Sequence, residues 1–260
     1  MAGVSFYYEN PLATTASNPW RRKKWFKVSC CPPNIIKTWG FLGSAQFSTR
    51  GNTVAVHLYF GAEFSTSIDG AKASIKLESG FPYAGNVKIS TECEKAFELA
   101  LRIPGWAERK YTASKEGQEK GGYLYLQVPA GSSEITLDFP MAPRLMFAHP
   151  RTRKDEVAIL RGPLVYCAES VDDDFDLEAT YISDHASITE SVRSEIASFK
   201  NVPLLEVPCK VKKSTAELDE ELYSTKPPVM ENGHRLVLVP YFLRDNRGGD
   251  GAMRVWLGRS

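Results

Sequence analysis

The chain has no long hydrophobic run, no excess of either charge and no metal-binding spacing of the common kinds. Without about 18 consecutive apolar residues it has no ordinary membrane-spanning helix. Its net charge of +1, with 24% of residues charged, gives no basic surplus for nucleic acid or an anionic membrane, so neither is expected as a partner. Met1 to Tyr8 lack the basic-then-apolar layout of a secretory leader. Cysteine is scarce: five residues (30, 31, 93, 167 and 209), an odd number without framework spacing. That fits reduced thiols better than a secreted disulfide scaffold, and the cytoplasm is the expected compartment. His57, His149, His185 and His234 are dispersed, no Cys-x-x-Cys or His-x-x-x-His occurs, and each histidine alone reads as structural or exposed. The acidic group Asp172, Asp173, Asp174, Asp176 and Glu178 lacks the glycine and distal glutamate of a calcium loop and reads as a solvated loop. Arg21-Arg22-Lys23-Lys24 likewise reads as a solvated face. There is no internal repeat and no low-complexity tract.

What is present changes character along the chain. Ile35, Ile36, Trp39, Leu42 and Ala45 recur at helical steps, which predicts a helix from about Pro33 to Gln46. From residue 50 the pattern alternates: Val54-Val56-Leu58-Phe60, Ile75-Leu77, Val87-Ile89, Phe97-Leu99-Leu101-Ile103, Leu124-Leu126-Val128 and Ile135-Leu137-Phe139. Turn signals separate these runs, among them Ser79-Gly80-Phe81-Pro82, Pro104-Gly105 and Gly121-Gly122. Short strands without intervening helices imply antiparallel sheets packed as a sandwich. Val157–Leu160, Leu164–Tyr166, Leu204–Val211, Arg235–Phe242 and Met253–Leu257 predict a second, smaller β domain, beyond a weakly patterned stretch from Asp172 to about Lys200. The fold class is therefore mainly β. The expected domains are 1–46, 47–150 and 151–260, with the last strand free to return to the first sandwich.

Cys30-Cys31 carries the chemistry. The pair stands before Pro32-Pro33, residues accepted in the first turn of a helix. Unpaired N–H groups and the positive end of the helix dipole there favour thiolate over thiol. Thiolate is both the nucleophilic and the metal-binding form, so the residues alone leave catalysis and zinc binding open. A disulfide between neighbours closes a strained eight-membered ring, which opposes a third reading, a redox pair. Glu92-Cys93-Glu94 and Cys167-Ala168-Glu169 sit in strand patterns, where a small buried cysteine is the usual finding.

Trp25-Phe26 leading to Cys30-Cys31-Pro32-Pro33-Asn34-Ile35 resembles the active-site signature of the β-L-arabinofuranosidase family of glycoside hydrolases. Further blocks are similar to the family in the same order: Phe6-Tyr7-Tyr8-Glu9-Asn10-Pro11-Leu12, Ile103-Pro104-Gly105-Trp106, Ala148-His149-Pro150, Arg161 through Glu169, Pro240-Tyr241, Asn246-Arg247-Gly248 and Met253-Arg254-Val255-Trp256. The resemblance implies an (α/α)6 barrel followed by two β-sandwiches, with 1–46 the last part of the barrel and most of the barrel absent from this chain. It implies a retaining hydrolase in which a cysteine attacks the anomeric carbon of a β-L-arabinofuranoside or related plant-type glycoside. A glutamic acid then serves as acid and base, and a zinc ion is held by one glutamate and three cysteines. Cys30 matches the nucleophile, itself a zinc ligand, and Cys31 a second zinc ligand. The family's acid/base glutamate and Glu-x-Cys zinc pair have no match in this sequence. The resemblance thus makes a carbohydrate substrate and the helical-barrel domain the expected partners, and makes this chain inactive alone. A non-catalytic β-sandwich module, for interdomain packing or carbohydrate contact, is the alternative.

Overall fold

The computed structural model describes residues 5–107, 110–213 and 223–260; the first four residues, read above for a leader, lie outside them. The chain is mainly β, with a single α-helix among the described residues. It forms two compact units, Val28–Ala142, and Met1–Lys27 with Pro143–Ser260.

The first unit opens with the helix Cys31–Leu42, which a 3-10 turn at Gly43–Ala45 ends slightly before the expected boundary. Two five-stranded sheets follow. One runs Phe47–Arg50, Thr53–Val56, Phe97–Arg102, Tyr123–Val128, Gln118–Lys120; the other runs Ala62–Ile68, Ala71–Ser79, Asn86–Cys93, Gly131–Asp138, Thr112–Ala113. Alternation is strict in Ala71–Ser79, where Ala71, Ala73, Ile75 and Leu77 are buried and Lys72, Ser74, Lys76 and Glu78 face out. Ala73, Ile75 and Leu77 join Val54, Val56, Ile89, Leu99, Leu101, Leu126, Ile135 and Phe139 in one core.

Two details differ from the sequence reading. The strand begun at Thr53 stops at Val56 instead of reaching Phe60, and Tyr59 is the buried residue, its hydroxyl donating to Arg102 O at 2.7 Å. That strand also pairs in parallel with Phe97–Arg102, Val54 opposite Leu99, an exception to the antiparallel pattern.

The second unit is a sheet closed on itself. Glu156–Arg161 pairs with Leu257–Arg259, then come Thr180–Ile182, Phe199–Lys213, Val229–Pro240 and Leu164–Glu169, which pairs back to Glu156–Arg161. Val157, Ile159, Tyr166, Ala168, Ile182, Leu205, Val207, Leu236, Leu238 and Leu257 form the inner core, drawn from every strand of the ring. The alternate residues Ala158, Cys167, Val202, Leu204 and Val239 face outward into a second core with Leu243, Met253 and Val255. The closing strand thus belongs to this unit. The stretch after Asp172 contains two strands the sequence pattern does not reveal, Thr180–Ile182 and Thr189–Ile196.

Candidate active site

Cys30 and Cys31 lie where the sequence puts them, at the start of the helix, with Pro32 and Pro33 in its first turn. Both thiols are exposed, and their sulfurs stand 3.4 Å apart, a contact and not a bond. Asn34 Nδ2 donates to Cys30 O at 2.6 Å, tying the first turn together. Among the described residues no group of three or more His, Cys, Asp or Glu side chains converges to hold a metal. The helix carrying the pair is apolar but bare: Ile36 is 55% and Phe41 59% exposed, and Ile35 and Trp39 are exposed too. It has 12 residues, no side-chain cap and Gly40 near its end, so propensity alone holds it weakly.

The segment leading toward the cysteines is built differently. Residues 5–27 form a strap on the closed sheet. Ala13–Thr14 adds a short strand to Met253–Arg254, and Val255 N donates to Leu12 O at 2.9 Å. Tyr241 Oη donates to Pro11 O at 2.8 Å, and Thr14 Oγ1 to Gly251 O at 2.7 Å. Gly251 has φ +86°, and a Cβ there would stand 2.6 Å from Pro19 Cβ, so the position requires glycine. Phe6 meets Trp25 edge-on at 6.3 Å, and Tyr8 meets Phe26 at 5.5 Å.

Arg21 and Arg22 correct the solvated-face reading. Arg21 Nη1 pairs with Asp245 Oδ1 at 2.6 Å, and Arg22 N donates to Asp245 Oδ2 at 2.7 Å. The Arg22 guanidinium lies 4.7 Å from the Tyr7 ring centre, and the buried Arg244 guanidinium lies 3.6 Å from the same ring. Behind them, buried Glu169 accepts from Asp245 N at 2.5 Å and from Arg247 Nη2 at 2.6 Å. Arg247 also pairs with Asp172 at 2.6 Å.

The acidic loop is likewise not simply solvated. Asp172 is bound as described, Asp176 Oδ1 accepts from Glu178 N at 2.8 Å, and Glu178 pairs with Arg254 at 3.0 Å. Burial, reinforced by the charge of Asp172, pushes the Asp173 carboxyl up to about 7. Cys93 and Cys167 are buried in their sheets, as expected, and burial raises both thiols. These two are therefore inert structural cysteines.

Residues 53–141 match the GH127 middle domain of β-L-arabinofuranosidase, and residues 143–258 match the glycoside hydrolase family 127 C-terminal domain. The chain belongs to glycoside hydrolase family 127. Both matched domains begin after the cysteines, and the relatives that cover 98–99% of the chain extend over Cys30 and Cys31 as well. A non-reducing end β-L-arabinofuranosidase of Bifidobacterium longum subsp. longum is 32% identical to this GH127 chain over 99% of its length. A crystal structure of a GH127 β-L-arabinofuranosidase from Geobacillus stearothermophilus T6 superposes with a TM-score of 0.86 at 30% identity, covering 98% of this chain and 43% of that one. A second GH127 β-arabinofuranosidase structure gives 0.84 at 25% identity, covering 99% and 42%. The chain spans only 42% of the Bifidobacterium enzyme.

Proposed function

We propose that this GH127 chain supplies the nucleophile of a retaining glycosidase that releases β-L-arabinofuranosyl or related residues from plant-type glycans or glycoconjugates. The observation that carries the reading is the pair of exposed sulfurs 3.4 Å apart at the start of a helix.

Cys30 is the nucleophile. Its thiolate attacks the anomeric carbon, a C–S bond forms and the glycosidic C–O bond breaks, the leaving oxygen taking a proton from a carboxylic acid. Water then attacks the same carbon, sulfur departs as thiolate, and the carboxylate takes the proton of the water. Cys30 and Cys31, with exposed sulfurs 3.4 Å apart, would supply two of the four ligands zinc takes. Zinc bound there with two further ligands would keep sulfur deprotonated without redox chemistry. The acid/base carboxyl and the remaining ligands come from the helical-barrel domain that we propose as the partner of this chain. Reduced thiols at Cys93, Cys167 and Cys209 suit a reducing compartment, which we take to be the cytoplasm.

The test pairs this chain with its longer parent. Purified with zinc, the 260-residue chain should not turn over an aryl β-L-arabinofuranoside, whereas the parent should, with activity lost on Cys30→Ala. Turnover by the chain alone at an enzyme-like rate would refute the inactivity; full activity of the Cys30→Ala parent would refute the nucleophile. A non-catalytic module for interdomain packing is the second reading, favoured by the bare apolar face of the helix. A parent without a helical domain bearing Glu-x-Cys would support it.

A further inference from the structure

The outer face of the sheet Phe47–Arg50, Thr53–Val56, Phe97–Arg102, Tyr123–Val128, Gln118–Lys120 is not flat. Strand register lays out its outward residues in three rows. Ser48, Ala55, Ala100 and Tyr125 lie across the middle, Arg50, Thr53 and Glu98 on one side, and Arg102 and Tyr123 on the other, where His57, just past the end of its strand, meets Tyr123. At the centre of rows of longer side chains, half-buried Ala55 stands beside buried Ala100, and a trough of about 270 Å³ opens there, lined by Ser48, Arg50, Thr53, His57, Tyr123 and Tyr125. Alanine is a poor strand former, so local propensity does not explain two of them side by side.

Along one rim the polar groups are joined. His57 Nε2 is 2.7 Å from Ser48 Oγ, and His57 Nδ1 is 2.8 Å from Tyr123 Oη. Burial, and then the charge of Arg102, lowers the His57 pKa, which keeps the ring neutral. The neutral relay has two tautomers, one running from Ser48 through His57 to Tyr123 and one reversed. Its ends can therefore present either a donor or an acceptor. On the opposite rim Thr53 Oγ1 donates to Glu98 Oε2 at 2.8 Å. A serine beside a histidine also suggests acyl transfer. Here, however, Ser48 and Ala55 are paired strand residues, and their backbone N–H groups are not gathered toward an oxyanion.

We infer that this trough binds an uncharged saccharide ring. The small side chain of Ala55 leaves room for a flat ring edge, Tyr125 offers an aromatic wall to its C–H face, and the Ser48–His57–Tyr123 relay meets vicinal hydroxyls, which both donate and accept. Hydroxyls are the ligand chemistry that such a reversible neutral chain matches. The inference stands apart from the reaction proposed for Cys30 and needs no zinc.

The test is calorimetric and NMR titration of the 260-residue chain with arabinotriose and xylotriose. One of them should bind with a Kd of about 1 mM, as a shallow site for a small ligand allows. Ala55→Val keeps a strand-compatible residue and fills the floor, so it should abolish binding with an unchanged melting temperature. Tyr125→Ala should weaken binding about tenfold, and Ser48→Ala about fivefold. Failure of both sugars to bind the folded chain at about 10 mM, or binding that survives Ala55→Val and Tyr125→Ala, overturns the inference. Preferential binding of trigalacturonate that is lost on Arg50→Gln also overturns it, in favour of an acidic ligand.

Discussion

Two segments flank Cys30-Cys31 and solve opposite problems. The strap before the pair carries the basic run Arg21-Arg22-Lys23-Lys24 and is held by its own chain: Arg21, Arg22 and Tyr7 all find partners around Asp245 and Arg244. The helix after it is apolar, and Ile36, Trp39 and Phe41 stay exposed. A reader of the charge pattern alone would bury the helix and expose Arg21 and Arg22. The difference teaches that charge and hydropathy state what a segment requires, and only the fold states whether the chain supplies it.

That contrast can be broken, and the largest effect should come from the network behind the strap. Glu169→Ala removes the acceptor for both Asp245 N and Arg247 and leaves the guanidinium buried without one of its carboxylates. A loss of about 3–5 kcal/mol in urea unfolding is expected. A loss below about 1 kcal/mol would mean the network is open to water. Tyr7→Ala, which strips the ring from between Arg22 and Arg244, should cost about 2 kcal/mol and speed proteolysis within residues 5–27.

Asp173 gives a pH signature. Its folded pKa of about 7 lies above the ordinary carboxyl value, so the folded state binds the proton more tightly. Stability on this account is fully present in acid and falls as pH rises through about 7; Asp173→Asn should flatten that part of the pH profile. A profile unchanged by the substitution would place the carboxyl in solvent. At the small end, Ile36→Ser and Phe41→Ser should each change the stability of this chain by less than about 0.5 kcal/mol. A cost of about 2 kcal/mol would show that the helix face is covered after all.

Much of the fold was legible. Period-2 runs such as Ala71–Ser79 and Phe97–Arg102 place their apolar residues in the core because each strand has one dry face. Ala62–Ile68 was not legible from hydropathy, since two of its inward residues, Ala62 and Thr66, are small or polar. Its turn signal was present, because Asp69 and Gly70 take positive φ between paired strands. Closure of the second sheet could not be read, as it depends on two-residue pairings of Leu257–Arg259 with the distant Glu156–Arg161 and Thr180–Ile182. Cys30 and Cys31 stood out because proline punctuates the helix start. The Ser48–His57–Tyr123 trough did not, because its members are neighbours only through cross-strand register. The buried network escaped for the same reason, Arg21 and Asp245 being 224 residues apart.

The closed ring has a consequence for how the protein is made. Synthesis runs from the N-terminus, and the ring lacks a stave until Leu257–Arg259 has been added. The first sandwich, complete by Ala142, can settle while the strap waits unpaired for Asp245, Gly251 and Met253. A ribosome stalled near residue 250 would therefore hold the first sandwich finished and the second sheet open, with the strap of residues 5–27 among the last parts to find its place.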